Sequence, residues 1–194
     1  MEVTYFFDPT CPFTWRTSRW LVGVAAARGL AVRWRSFSLS ILNGDGIPAQ
    51  YRPMMAAAGH AQRLVEALYE DDRHEQAGGF YTELGGRTHE TGAPISDDIV
   101  AAAAAAAGID DAKAILDDAS WDAAVRASHD LAYGSAGPGI GSPVLLVAGA
   151  PRAVHGPILG LDARPDRDEA LAMWDAVTAL AHSPHFFELK RGRS

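Results

Sequence analysis

The chain has 194 residues, 48% hydrophobic and 21% charged, with 17 Lys+Arg against 24 Asp+Glu, a composition that excludes disorder and suits one compact domain or one domain with an insertion. A single Cys excludes an internal disulfide and any multi-cysteine zinc or iron–sulfur site. A formal net charge of -7 argues against a nucleic-acid partner, which calls for a surplus of Lys and Arg facing phosphate.

Val3 to Phe7 is β-branched and aromatic and ends at Asp8-Pro9, which predicts a short buried strand. No basic stretch followed by a long apolar one opens the chain, so no secretory leader is expected and the protein is expected in the cytoplasm. A helix should follow: Cys11 takes the N-cap, Pro12 the first helical position, and Trp15, Trp20 and Leu21 supply apolar residues up to a stop at Gly29. Leu30 to Phe37 alternates as a second strand, and the β-α-β opening implies that the two strands are parallel.

From Asn43 to about Ala136 the pattern is helical, punctuated by Gly, with no strand signal. Ser96 or Asp97, and Ser120, suit helix starts, and Gly108 suits a stop between them. The alanine run 101–107 falls far short of the roughly 18 residues of a membrane span, so no membrane partner is expected. After the glycine-rich 134–141, Pro143 to Val147 reads as a strand, 148–151 as a turn and Arg152 to His155 as its hairpin partner. Asp166 and Glu169 suit a capping box for a last helix through Ala181. Trp20, Trp34, Trp121 and Trp174 are expected in the core, and Lys190-Arg191-Gly192-Arg193 reads as a solvated tail. The expected organisation is one α/β domain from residues 1–42 and 137–194, with 43–136 as an all-helical insertion domain.

A thiol reacts as its thiolate, and a helix N-terminus stabilises that anion through its dipole and its unpartnered N–H groups. Cys11 has this placement, so a depressed thiol pKa is expected. The Thr14 hydroxyl can reach the sulfur across the first turn, but it cannot resolve a disulfide. A Cys-x-x-Cys pair closes on itself, whereas Cys-x-x-Thr needs an outside thiol to release its adduct. A low-molecular-weight thiol cosubstrate is therefore expected. At Ser142-Pro143 a cis bond would turn the preceding N–H and C=O outward; the alternative is a trans Pro that simply begins a strand. The seven histidines show no metal-ligand spacing, and the glycines of 137–141 precede a strand instead of opening a helix, so neither a metal nor a phosphate cradle is expected.

The order β-α-β, helical insertion, β-β-α, with Cys-Pro-Phe-Thr opening the first helix and Gly-Ser-Pro entering the third strand, resembles the thioredoxin fold of the DsbA and kappa-class glutathione transferase group. In that fold the proline loop lies opposite the Cys and binds an extended thiol or peptide, which implies thiol-positioning roles for Pro12, Phe13, Ser142 and Pro143. Residues 7–15, Thr17-Ser18-Arg19-Trp20, Ser38 to Asn43, Gln50-Tyr51-Arg52 and Pro184 to Arg191 look like the actinobacterial mycothiol-dependent nitroreductase family, a DsbA-like branch. The likeness implies a cytoplasmic enzyme that draws electrons from mycothiol and can reduce nitro-aromatics. It implies no tightly bound cofactor, mycothiol or another small thiol as cosubstrate, and a mycoredoxin-type reductant as a further partner. Members commonly carry Cys-Pro-Trp-Cys; here Phe13 keeps an aromatic wall and Thr14 removes the resolving thiol.

By position in these motifs Asn43 and Tyr51 would line the cleft and offer an amide and a phenol to substrate, or else serve as a cap or structural hydrogen bond. His89 would move protons or play a structural part. Three functional readings follow. The leading one is a thiol-dependent oxidoreductase acting on a small aromatic or disulfide substrate with Cys11 and Thr14 as catalytic residues. The others are a kappa-class-like thiol transferase or isomerase, and a non-catalytic relative that binds a small ligand.

Overall fold

Alternation along the first strand decides how the layers assemble. In β1 (Glu2–Phe7) Val3, Tyr5 and Phe7 point to one side of the sheet and Phe6 to the other, and all four are buried, as a strand covered on both faces requires. The computed structural model describes residues 1–192, so Arg193 of the basic tail lies outside the described residues. Helix α1 (Pro12–Arg28) begins at the Cys11 N-cap and ends where Gly29 adopts a left-handed φ of 63°, a conformation cheap only for glycine. β2 (Ala31–Ser36) returns parallel to β1 with Val3 opposite Val32 and Phe7 opposite Ser36, as the crossover rule requires.

Between β2 and the second half of the sheet the described residues form helices and no strand: α2 (Leu39–Asn43), α3 (Arg52–Glu70), α4 (His74–Gly85), a π-helical turn (Gly86–Glu90), α5 (Asp97–Ala106), α6 (Ala112–Leu116) and α7 (Asp122–Ala136). Ser96 caps α5, accepting from the Ile99 N–H. The turn before α7 departs from expectation: Asp118 accepts from the Ser120 N–H, because a carboxylate two residues upstream reaches that donor first. Ser120 is thus the capped residue and not the cap. Trp121 is only half-buried, whereas Trp20, Trp34 and Trp174 are core residues.

β3 (Val144–Val147) pairs antiparallel with β1, and β4 (Val154–His155) antiparallel with β3, giving the strand order β2-β1-β3-β4. α8 (Arg167–Ala181) is capped by Asp166, whose carboxylate accepts from the Glu169 N–H at 2.9 Å. One face of the sheet carries Phe6 and Val144 against Phe37 and Ala132 of α7. The other carries Tyr5, Phe7, Trp34 and Leu145 into a cluster that runs through Leu64 and Phe80 to Val100, and on the far side through Trp20 to Trp174.

Trp15 of α1 joins this sheet to the helices. Its indole meets Tyr81 edge-on at 5.7 Å, lies nearly parallel to the His89 ring at 6.1 Å, and carries the Arg19 guanidinium 4.0 Å from its centroid. The close approach requires Gly85, where an added Cβ would strike the indole, whereas nothing stands within 4 Å of a Cβ at Gly86. Gly85→Ala should therefore destabilise the protein by about 1–3 kcal/mol through overpacking, while Gly86→Ala stays within about 0.5 kcal/mol of wild type. Urea denaturation checks this; equal midpoints for the two variants would contradict it.

Candidate functional site

The site is made where the start of α1 meets the turn into β3. Cys11 is extended at φ −87°, ψ 113°, and its N–H donates to the Asp8 carbonyl while its own carbonyl accepts from Trp15 N–H, both at 3.1 Å. The sulfur is thereby fixed over the first helical turn. Opposite it the Ser142–Pro143 bond is cis, and the Cys11 thiol donates to the Ser142 carbonyl at 3.7 Å. Thr14 is fully buried with its hydroxyl 2.8 Å from Ser142 Oγ. Ser142 Oγ also accepts from the Asp8 N–H at 3.0 Å. The backbone of Thr14 is held as well, its carbonyl accepting from Tyr5 Oη at 2.8 Å.

The helix N-terminus acts on the sulfur in the expected sense, but it does not prevail. The Cys11 thiol is pushed up from its ordinary pKa: burial is the largest cause and the Asp8 carboxylate adds to it, against the Thr14 hydroxyl and the Thr14 and Phe13 N–H groups, which favour the thiolate. The expectation of a depressed thiol pKa is thus corrected. Desolvation outweighs the dipole, and the resting sulfur is a thiol that donates to a carbonyl.

Asp8 is the functional candidate that the sequence reading missed. Its carboxylate is buried, accepting from the Thr10 and Leu39 N–H groups at 2.8 and 2.7 Å and from Gln62 Nε2 at 3.4 Å. Even so, burial raises its pKa. The available signal was the acid itself, sitting at the end of a fully apolar strand immediately before Pro9. Gln62, also buried, spans Asp8 and the Phe37 carbonyl and gave no local signal.

Of the other expected residues, Pro12 is exposed, Phe13 half-buried and Pro143 buried. His89 reaches the active-site loop: its Nε2 donates to the Pro9 carbonyl at 2.9 Å, which places the proton on Nε2, and burial pushes its pKa down, so the ring is neutral at pH 7. Asn43 turns back to donate to the Leu39 carbonyl at 2.8 Å, and Tyr51 is 47% exposed. No hydrogen bond joins either of them to Cys11, Thr14 or Ser142 among the described residues. No three His, Cys, Asp or Glu side chains gather to hold a metal there, and no helix among those residues is long and apolar enough to cross a membrane.

The four-stranded sheet with a cysteine opening α1 opposite a cis-proline defines a DsbA-like protein of the thioredoxin fold. Residues 10–191 match the Rv2466c-like family, described as mycothiol-dependent nitroreductase Rv2466c, and the chain belongs to that family of thiol-dependent oxidoreductases. It is 32% identical over 197 residues to the uncharacterized protein Rv2286c of Mycobacterium tuberculosis, covering 99% of this chain and 82% of the relative. Among solved structures it is similar to the cytosolic disulfide reductase DsbM from Pseudomonas aeruginosa with GSH (TM-score 0.59, 15% identity, 93% of this chain and 100% of that one). A 2-hydroxychromene-2-carboxylate isomerase aligns with TM-score 0.58 at 17% identity, over 93% of this chain and 96% of that one. The probable DsbA oxidoreductase SCO1869 from Streptomyces coelicolor aligns with TM-score 0.54 at 19% identity, over 98% and 93%.

Because the Asp8 anion opposes ionisation of the thiol, Asp8→Asn should shift the Cys11 titration to lower pH, read as the iodoacetamide alkylation rate against pH in variants matched for thermal stability. The sign for stability follows from the raised Asp8 pKa: its contribution is full below the unfolded carboxyl pKa and is lost as pH rises through the folded one. Asp8→Asn should flatten that decline. An unmoved alkylation profile would show that Asp8 does not act on the sulfur.

Proposed function

We propose that the protein is a cytoplasmic monothiol oxidoreductase in which Cys11 exchanges disulfides with mycothiol or another low-molecular-weight thiol. The observation that supports it most is the Cys11 sulfur facing the Ser142 carbonyl ahead of cis Pro143, with Thr14 where a resolving thiol would stand. The Cys11 thiolate attacks the mycothiol sulfur of a mixed disulfide RS–SM. It displaces RS⁻, which takes up a proton, and becomes Cys11–S–SM. A second mycothiol thiolate then attacks that bond, releasing the Cys11 thiolate and mycothiol disulfide. The sum is RS–SM plus one mycothiol giving RSH plus mycothiol disulfide, so the electrons come from mycothiol and Cys11 is regenerated. For a nitro-aromatic acceptor, two mycothiols supply the two electrons and two protons that give the nitroso compound, water and mycothiol disulfide.

In this reading Cys11 is the nucleophile, and Thr14 with the Phe13 N–H favours its anion. Ser142 and Pro143 position the incoming thiol: once the sulfur loses its proton, the Ser142 carbonyl is free to accept an N–H from that thiol. Residues 1–42 and 137–194 form the thiol domain. The insertion 43–136 covers it, with His89 holding the Pro9 carbonyl. The burial of Thr14 and its bond to Ser142 favour a second reading, a kappa-class-like transferase or isomerase that activates a small thiol without forming a disulfide to Cys11.

Intact mass after exposure to mycothiol disulfide at mildly alkaline pH separates the two. One mycothiol adduct is expected on the wild type, none on Cys11→Ser, and added mycothiol should discharge it. Thr14→Cys should prevent the adduct from accumulating by closing an internal disulfide. A wild type that stays unmodified while catalysing thiol addition to an electrophile would favour the transferase.

A further inference from the structure

We propose that the groove between α1 and α8 is a binding site for a small organic anion, a carboxylate carried on an apolar ring. A cavity of about 280 Å³ lies there, floored by Trp20, Val24, Leu159 and Leu171 and bordered by Arg16, Arg164 and Arg167. Six other arginines, Arg28, Arg33, Arg35, Arg63, Arg73 and Arg87, are held in ion pairs. Among the described residues the three at the cavity are not. Arg16 makes no hydrogen bond among the described residues, and its Nε is buried without a partner. Arg164 donates only to the uncharged Leu161 and Ala163 carbonyls.

The acid in the lining is Asp166, whose carboxylate already caps α8 by accepting from the Glu169 N–H. Glu90 and Asp162 act on Arg16 from outside the lining without forming an ion pair, and Arg164 repels it. Arg19 contributes to the wall, but its guanidinium lies over Trp15 and donates to the Thr82 hydroxyl. Among the described residues, three guanidinium groups without an ion-pair partner border one cavity, Arg16 half-buried and Arg164 and Arg167 exposed, and their shared charge favours an anion there.

A carboxylate matches the guanidinium fork, and the floor of indole and aliphatic side chains takes a ring. Neither Cys11 nor Ser142 borders this cavity, so the site stands apart from the thiol chemistry and does not depend on it.

Calorimetric titration with benzoate and with its uncharged isostere benzamide tests the assignment. Benzoate should bind saturably to the wild type at one site, and benzamide at least about tenfold more weakly, a difference of about 1.4 kcal/mol. Arg16→Gln and Arg164→Gln should each weaken benzoate severalfold, while Arg126→Gln, outside the cavity, should not. Cys11 alkylation should remain at the wild-type rate in all three. Benzamide binding as tightly as benzoate would overturn the proposal without recourse to any variant. So would unchanged benzoate affinity in folded Arg16→Gln and Arg164→Gln, or no saturable binding of benzoate up to about 10 mM, equivalent to about 2.7 kcal/mol of binding free energy.

Discussion

The Ser142 hydroxyl is the contact on which the site depends. It accepts from the Asp8 N–H and bonds the Thr14 hydroxyl, so one oxygen ties the end of β1, the first turn of α1 and the entry to β3. The carbonyl of the same residue faces the sulfur. Without the hydroxyl, the buried Asp8 N–H and Thr14 hydroxyl would lose their partner, a cost of about 1–3 kcal/mol for each group left unsatisfied. The antiparallel pairing of β1 with β3, Phe6 opposite Val144, gives the backbone scaffold for this contact. The strand register and the side-chain bond specify the same alignment.

Two acids share this poorly hydrated region, the Cys11 thiol and the Asp8 carboxyl. Burial raises the pKa of both, and the Asp8 anion further disfavours the Cys11 thiolate. Cys11 is half-buried, and the donors at hand for its thiolate are the Phe13 and Thr14 N–H groups and the Thr14 hydroxyl. Replacing a second cysteine with Thr removes a sulfur but keeps a donor. Thr14 is thus compatible with the proposed monothiol reaction, in which resolution falls to another molecule.

The elements that follow from local pattern were legible in the sequence. Pro12 and Gly29 bound α1, the alternation of residues 30–37 marks β2, and Asp166 caps α8 as its spacing implies. The motif residues Cys11, Thr14, Ser142 and Pro143 come together because they sit at the ends of those elements. What escaped depends on desolvation and on long-range contacts. The raised thiol pKa reflects desolvation of the sulfur in the folded chain, which no local pattern encodes. Asp8 looked like part of a strand-ending Asp-Pro pair, and its burial depends on Gln62 and Leu39 from distant segments. Asn43 and Tyr51 were placed by motif alone, and the structure gives one a local carbonyl partner and the other to solvent. His89 is reached through Gly85, whose missing side chain lets the π-helical turn that follows it approach the Trp15 indole of α1.

The sequence separation of 131 between Cys11 and Ser142 also orders events during synthesis. At about 5–20 residues per second, the cysteine is made roughly 7–26 s before the carbonyl that accepts its hydrogen bond. Once it has left the ribosome, and until β3 is in place, the sulfur lacks its Ser142 partner. A nascent chain capped there by a small thiol would have to complete β3 around the adduct or shed it first. The final fold therefore completes the surroundings of its sulfur late, only after the whole helical segment between β2 and β3 has been made.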